Sequence, residues 1–289
     1  MKQADLITGI CGVSFVKDPR DFTTMYVGKK FEANVKYLTD SKGCLLFFED
    51  GMDIPQIILD NNNCHFSVAP VRDFARAVRA LWEQRQAELG ALPYFNQNGA
   101  TVGTDVELGE GVVIEPGAFI DHRVKIGAGT RICTGAVVRH GSVIGENCLI
   151  LEGAVIGNEG FTMAPDEDGN PFRLHCLAGV ILADEVEVGA NVTVNRGQSR
   201  DTFVERWTKI DDGTYVAHDC VLGERVTVTS NVTMGGFVEV GDGAYLGMNC
   251  TVKQLLSVGA GTTVGMGSVV TKSLPDGVVA FGSPAKVRG

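Results

Sequence analysis

Along most of this chain an aliphatic side chain recurs at every sixth residue. The series runs Val102, Leu108, Ile114, Ile120, Ile126, Ile132, Val138, Ile144, Ile150 and Ile156, and resumes at Leu182, Val188 and Val194. From Ile210 it continues unbroken through Val216, Leu222, Val228, Met234, Val240, Leu246, Val252, Val258 and Val264 to Val270. A small or β-branched residue sits four places after many of them, as at Ala118, Thr130, Ala136, Ser142, Cys148 and Ala154. An α-helix needs a period near 3.6 and a plain strand a period of 2, so neither fits. A fixed hexapeptide period predicts a parallel β-helix, in which three short strands and three turns make one coil. The aliphatic residue fills the interior, the small residue fits beside a corner, and one coil buries its core only against the next.

The first hundred residues lack the beat. Apolar runs at Cys44–Phe48 and Pro55–Leu59 read as strands. Pro70–Leu89 reads as an amphipathic helix with Phe74, Val78, Leu81 and Trp82 on one side and Asp73 as its cap. The segment GALPYFNQNG (residues 90–99) reads as a turn-rich linker. The expected organisation is an α/β domain over residues 1–95 and a β-helix domain over residues 96–289. Two segments interrupt the beat: Asn158–Gly179, expected to bulge out as a loop, and the shorter Gly197–Trp207.

Charge and cysteine content narrow the function. A net charge of −10 argues against nucleic acid as the main partner. The eight cysteines show no CxxC metal spacing. Cys148, Cys220 and Cys250 occupy the small interior slot, where a thiol packs as a small hydrophobe. Reduced thiols and an N-terminus, MKQADLITGI, without signal-peptide features point to a cytoplasmic protein. No apolar run approaches a membrane span.

The chemistry-bearing residues lie on the outward turns. His218 stands two residues past Val216, and Gly236 follows eighteen residues later, one coil on and on the same side. A base with a backbone N–H one coil away suits acyl transfer: the imidazole takes the proton of an attacking amine, and the amide holds the oxyanion. Asp219 either orients His218 or is a solvated turn residue. His122 and His140 are also one coil apart. They read either as a metal pair, with Asn158 rather than a third ligand on the next coil, or as one surface histidine and one lining the site. Phe31, Asn34 and Tyr37 form an aromatic–amide triplet that suits a nucleobase, or else supply core to a small domain.

Taken with their spacing, these motifs resemble the left-handed β-helix acyltransferases, and over the whole chain the UDP-3-O-acylglucosamine N-acyltransferases. GNEGFTMAPDEDG (157–169) is similar to that family's GxDGFGYAxD loop, VTVNRG (192–197) to its TTIDRG with Asn195 where Asp is usual, and YVAHDCVLGE (215–224) to its QIAHNVxIGE. FEANVKY (31–37) matches FxxNxxY. The resemblance implies a homotrimer with sites in the clefts between subunits, His218 as base and Gly236 as oxyanion donor. It implies acceptor contacts from Phe31, Asn34, Tyr37, His140, Gly160 and Phe161, and an acyl-length role for Met266. Two departures stand out. KQLL (253–256) replaces a further family histidine, and the ending VVAFGSPAKVRG is similar to acyl-CoA-dependent sugar acyltransferases instead of carrying the helices that grip acyl carrier protein. Lys272, Lys286 and Arg288 are then expected to meet coenzyme A phosphates.

The leading expectation is an N-acyltransferase that moves an acyl group from a thioester, preferably acyl-CoA, to the amine of a nucleotide-linked sugar in lipopolysaccharide or surface-glycan biosynthesis. No bound cofactor or metal is expected. The near alternative is the lipid A enzyme itself, using acyl carrier protein. The distant ones are a metal hydratase similar to γ-class carbonic anhydrases and a non-catalytic β-helix module.

Overall fold

The structure, a computed structural model, describes residues 6–288; the side chain of Arg288 is outside that description. Two compact units divide it. The first takes Met1–Ala91 together with Phe161–Ala178 and Gln198–Arg200; the second takes Leu92–Gly160, Gly179–Gly197 and Asp201–Gly289.

In the first unit, strands β1 (Gly12–Val13), β2 (Thr23–Val27), β3 (Leu45–Glu49) and β4 (Asn63–Ser67) form a parallel sheet in that order. Helix α2 (Pro70–Gly90) lays Phe74, Ala77, Val78 and Leu81 against Leu45 and Phe47 of the sheet. Asp73 is not its cap; that place falls to Ala69, and Asp73 sits in the first turn, where it accepts from the Ser67 hydroxyl. The run at Pro55–Leu59 is not a strand. Pro55 presets the backbone for the short helix α1 (Gln56–Asn61), and Gln56 Nε2 donates to Asp60 Oδ1 one turn on at 2.8 Å. Asn62 Nδ2 then donates to the Ile58 carbonyl at 3.1 Å and closes the helix. Residues 161–178 form an antiparallel hairpin, Met163–Pro165 with Pro171–Arg173. Ala164, Leu174 and Leu177 join the core around α2, and Trp82 stacks on His175 at 4.1 Å.

The second unit is a β-helix. Its three faces are parallel sheets of ten, eight and ten strands, each including hairpin partners where they occur. Residues eighteen apart pair across neighbouring coils, as Lys125 with Val143 and Thr233 with Thr251. The six-residue series lines the interior, with Ile120, Ile132, Val138, Val216, Met234 and Val264 fully buried. Leu108 and Ile114, in the first coil, are the departures: with no complete coil before them, Leu108 stays exposed and Ile114 half-buried. The cysteines behave as interior packing. Cys148, Cys220 and Cys250 are buried, and burial pushes the Cys250 thiol up to about 12.

Two expectations about connections fail. The stretch read as a linker forms a β-hairpin, Tyr94–Gln97 against Ala100–Gly103, around Asn98 and Gly99, both in the left-handed region at φ 52° and 89°. Asn-Gly between strands is the turn that this geometry selects. The second interruption is also shorter than read. Thr202–Val204 is already a strand of the prism, paired with Val180–Leu182, and only Gln198–Arg200 leave it.

Candidate active site

One corner of the prism gathers the chemistry. The first face contains the strands Phe119–Ile120, Val137–Val138, Val155–Asn158, Thr193–Asn195, Tyr215–Val216, Thr233–Met234, Thr251–Val252 and Val269–Val270, each bonded to the next. Two residues past the inward aliphatic of successive coils come His122, His140, Asn158, Arg196, His218, Gly236, Gln254 and Lys272. Each step along this column is one strand spacing, roughly 4.8 Å.

His218 and Gly236 are neighbours in it. The His218 Nδ1–H donates to Asp219 Oδ2 at 2.7 Å, and Asp219 is wholly buried. The bond orients the ring and assigns the proton to Nδ1. Asp219 is therefore no solvated turn residue. Phe237 meets the ring edge-on at 5.5 Å. The opposite boundary is Gly236, where an added Cβ would lie 2.6 Å from Cε1 and 2.7 Å from Nε2. Only glycine leaves room for the imidazole in this place. Among the described residues the Gly236 N–H has no hydrogen-bond partner, whereas its carbonyl accepts from Leu255.

His140 lies three coils from His218, roughly 14 Å along the column, and is enclosed by a different network. Arg196, itself buried, donates from its Nη1 to His140 Nε2 at 2.6 Å, from Nη2 to the His140 carbonyl at 2.9 Å and from Nε to the Gly157 carbonyl at 2.8 Å. A guanidinium carries no acceptor, so His140 Nε2 accepts and its proton sits on Nδ1, 3.7 Å from Asp121 Oδ2. Asp121 Oδ1 accepts from the Tyr94 hydroxyl at 2.7 Å and from the His122 N–H at 2.9 Å. Burial works to raise the Asp121 pKa, but hydrogen bonds from His140, Tyr94 and the His122 amide, with Arg139 nearby, outweigh it and hold the carboxyl well below the usual range. Burial, then the bond to Asp121, pushes Tyr94 up to about 12.

His122 is not a surface histidine. Its ring is wholly buried under Tyr94 at 4.3 Å, and its Nδ1 bonds to Asp105 Oδ1 at 2.8 Å. Both histidines are thus committed to carboxylates in the chain, and among the described residues no group of three His, Cys, Asp or Glu could hold a metal ion.

The Asp121 network carries a pH signature. Its folded pKa lies below the unfolded value near 3.8, so its stabilisation is fully present above that value and is lost as pH falls through the folded one. Urea unfolding should show Asp121→Asn less stable than the parent by about 1–3 kcal/mol near neutrality. The gap should close progressively below about pH 4. A gap independent of pH would mean that Asp121 is not held ionised by this network.

The remaining expected residues lie on other elements. Phe31 and Tyr37 are 52% and 40% exposed on a 3-10 helix (Lys29–Leu38) whose inward side is Val35 and Leu38, so neither ring serves as core; Asn34 is half-buried between them. Gly160 ends a segment of the second unit, and Phe161 opens a segment of the first, its exposed ring under the Arg173 guanidinium at 5.8 Å. Lys272 shares the column of His218, three coils on. Met266 follows the third-face strand Thr263–Val264 and stands on a different corner, highly exposed, while Lys286 lies on the strand Lys286–Arg288 at the end of that third face. The Arg288 side chain lies outside the described residues. Two residues of the site escaped the sequence reading, Arg196 and Asp121. The periodicity places Arg196 in the column, but nothing in it signals that the side chain turns inward.

Residues 123–158 match the family model described as bacterial transferase hexapeptide (six repeats). The chain is similar to proteins named UDP-3-O-acylglucosamine N-acyltransferase from Methylobacterium sp. (strain 4-46), at 33% identity, and from Methylorubrum extorquens (strain PA1), at 37%. Both matches cover 131 residues, 45% of this chain, and span 37% of the relatives' own length. Among solved structures, the UDP-N-acetylglucosamine acyltransferase of Campylobacter jejuni aligns with a TM-score of 0.59 at 24% identity, over 66% of this chain and 73% of that one. The Bacteroides fragilis 9343 enzyme of the same name aligns at 0.56 and 26%, over 68% and 74%. The likeness shows the fold of the β-helix unit to be left-handed, beside the small N-terminal α/β portion described above. Among the described residues no helix is long and apolar enough to cross a membrane.

Proposed function

We propose that this chain is an acyltransferase that carries an acyl group from a thioester to the amine of a nucleotide-linked sugar. The observation that carries the reading is the His218 imidazole, held through Nδ1 by buried Asp219, beside the Gly236 N–H, which has no hydrogen-bond partner among the described residues. The amine nitrogen attacks the thioester carbonyl carbon as His218 Nε2 takes the amine proton, which is needed because the neutral amine is the nucleophile. The carbonyl oxygen becomes an oxyanion that accepts from the Gly236 N–H. The carbon–oxygen double bond then reforms, the carbon–sulfur bond breaks, and His218 returns its proton to the departing thiolate. Amide and free thiol are the products. The names of the relatives support a UDP-linked glucosamine acceptor and a place in lipid A synthesis.

Acceptor binding is assigned to Phe31, Asn34 and Tyr37, supported by two exposed aromatic faces flanking an amide. Phe31→Ala and Tyr37→Ala should each weaken nucleotide-sugar binding by about 1–3 kcal/mol and leave the apparent affinity for the acyl donor unchanged. Equal loss of both substrates in steady-state kinetics would reduce these residues to a structural role.

For the donor, acyl-CoA is favoured over acyl carrier protein. Exposed Lys272 on the same corner as His218 suits a phosphate, and the net charge of −10 disfavours an acidic protein. A homotrimer in the cytoplasm completes the proposal, cyclic closure supplying clefts between neighbouring prisms. The test is thiol release from matched acyl-CoA and acyl-carrier-protein thioesters with a panel of UDP- and dTDP-amino sugars. Turnover with acyl-CoA supports the full reading. A hundredfold preference for the carrier protein moves the lipid A enzyme ahead, and no thiol release with any pair overturns the proposal.

A further inference from the structure

At three other coils of the catalytic corner, the residue just past the column donates its backbone N–H to the coil before. Gly141 donates to the His122 carbonyl, Phe237 to that of His218 and Leu255 to that of Gly236. Asp219 occupies the same position, with φ 61° in the left-handed conformation it shares with Phe237 and Leu255. Its N–H does otherwise. The preceding coil is interrupted there by Gln198–Arg200, and the Asp219 N–H donates instead to the Thr202 hydroxyl oxygen at 2.9 Å.

Thr202 is well placed to be that substitute. It is the first residue of a prism strand after the interruption, wholly buried, and its own N–H is fixed by the Gly179 carbonyl at 3.1 Å. Gly179 in turn donates to the Asp201 carboxylate at 2.6 Å. The strand on which Thr202 sits pairs Phe203 with Val221, two residues beyond Asp219. The hydroxyl therefore approaches Asp219 from a rigid element, not from the interrupting loop.

We infer that Thr202 is a positioning residue for the His218–Asp219 pair: its hydroxyl holds the Asp219 N–H beside the Gln198–Arg200 interruption of the coil. The inference rests on the acyltransferase reading only for its kinetic consequence. The geometric chain runs from Thr202 Oγ1 to the Asp219 backbone, and from the Asp219 carboxylate to His218 Nδ1. Valine keeps the volume of threonine and abolishes this acceptor for the Asp219 N–H. Serine keeps the acceptor.

The experiment compares Thr202→Val and Thr202→Ser in the full chain. In the valine variant kcat should fall about tenfold with KM for both substrates unchanged, because ring placement and not binding is disturbed. The serine variant should retain kcat within about twofold. Independently of any activity, 15N chemical shifts of His218 should show the Nδ1-protonated tautomer dominant in the parent and serine proteins. In the valine protein they should show a mixture. A valine variant with parental kcat and tautomer overturns the inference, as does a serine variant as impaired as valine. If the valine protein does not fold, Thr202→Ala against Thr202→Ser makes the same comparison. Should the parent release no thiol while the shifts respond as stated, the acyltransferase reading fails and the positioning role stands.

Discussion

His218→Ala should lower kcat by about 10²–10⁴ and leave nucleotide-sugar binding intact. The size follows from what the side chain is asked to do. Sugar amines are largely protonated near neutrality, so the attacking nitrogen must lose a proton at or before the transition state. No other imidazole takes over. His140 Nε2 is occupied by Arg196, and His122 is sealed beneath Tyr94. Loss of the ring therefore removes general-base catalysis without a local substitute, while the exposed Phe31 and Tyr37 are untouched. The checks are steady-state kinetics with calorimetric titration of the nucleotide sugar. A variant that keeps near-normal turnover would take His218 out of the mechanism.

Gly236→Ala should be nearly as damaging, about 10²-fold in kcat, for a steric reason. The new Cβ would meet the His218 ring at 2.6 Å, a separation that real carbon atoms do not sustain. The ring must swing away from both Asp219 and the Gly236 amide. A double variant separates this from general destabilisation. In the His218→Ala background the space beside residue 236 is open, so the second substitution should cost little further activity. If the two losses instead multiply, Gly236 acts through something other than the seat of His218.

The β-helix was legible because every coil restates the same constraint. A registered aliphatic at Ile120, Val138 or Val216 has one place to go, and repetition removes ambiguity. The column of His218 and Gly236 followed from the eighteen-residue spacing alone. Single occurrences were harder. Three apolar residues, Ile57 to Leu59, are too few to separate strand from helix, and there proline and the Gln56–Asp60 bond decide. The hairpin at Asn98–Gly99 was readable from its Asn-Gly turn, but the short flanking runs obscured it. Burial of His122 depends on Tyr94, 28 positions earlier on that hairpin, and so had no local signature. Thr202 and Arg196 were invisible for a related reason: each answers an interruption of the repeat, and a repeat predicts only what recurs.

Because each coil adds one residue to the corner, distance along it is quantised. Removing or inserting a whole eighteen-residue unit between His218 and Lys272 would leave the interior register intact, yet would move one end relative to the other by a single strand spacing, roughly 4.8 Å. Intermediate separations are excluded because coils stack only at that spacing, and a loop such as Gln198–Arg200 lengthens a coil without lengthening the column. Along this axis the prism is a digital spacer. Its reach changes in whole steps by recombination of coils, while substitution at a column position alters the chemistry at one step and leaves the scale unchanged.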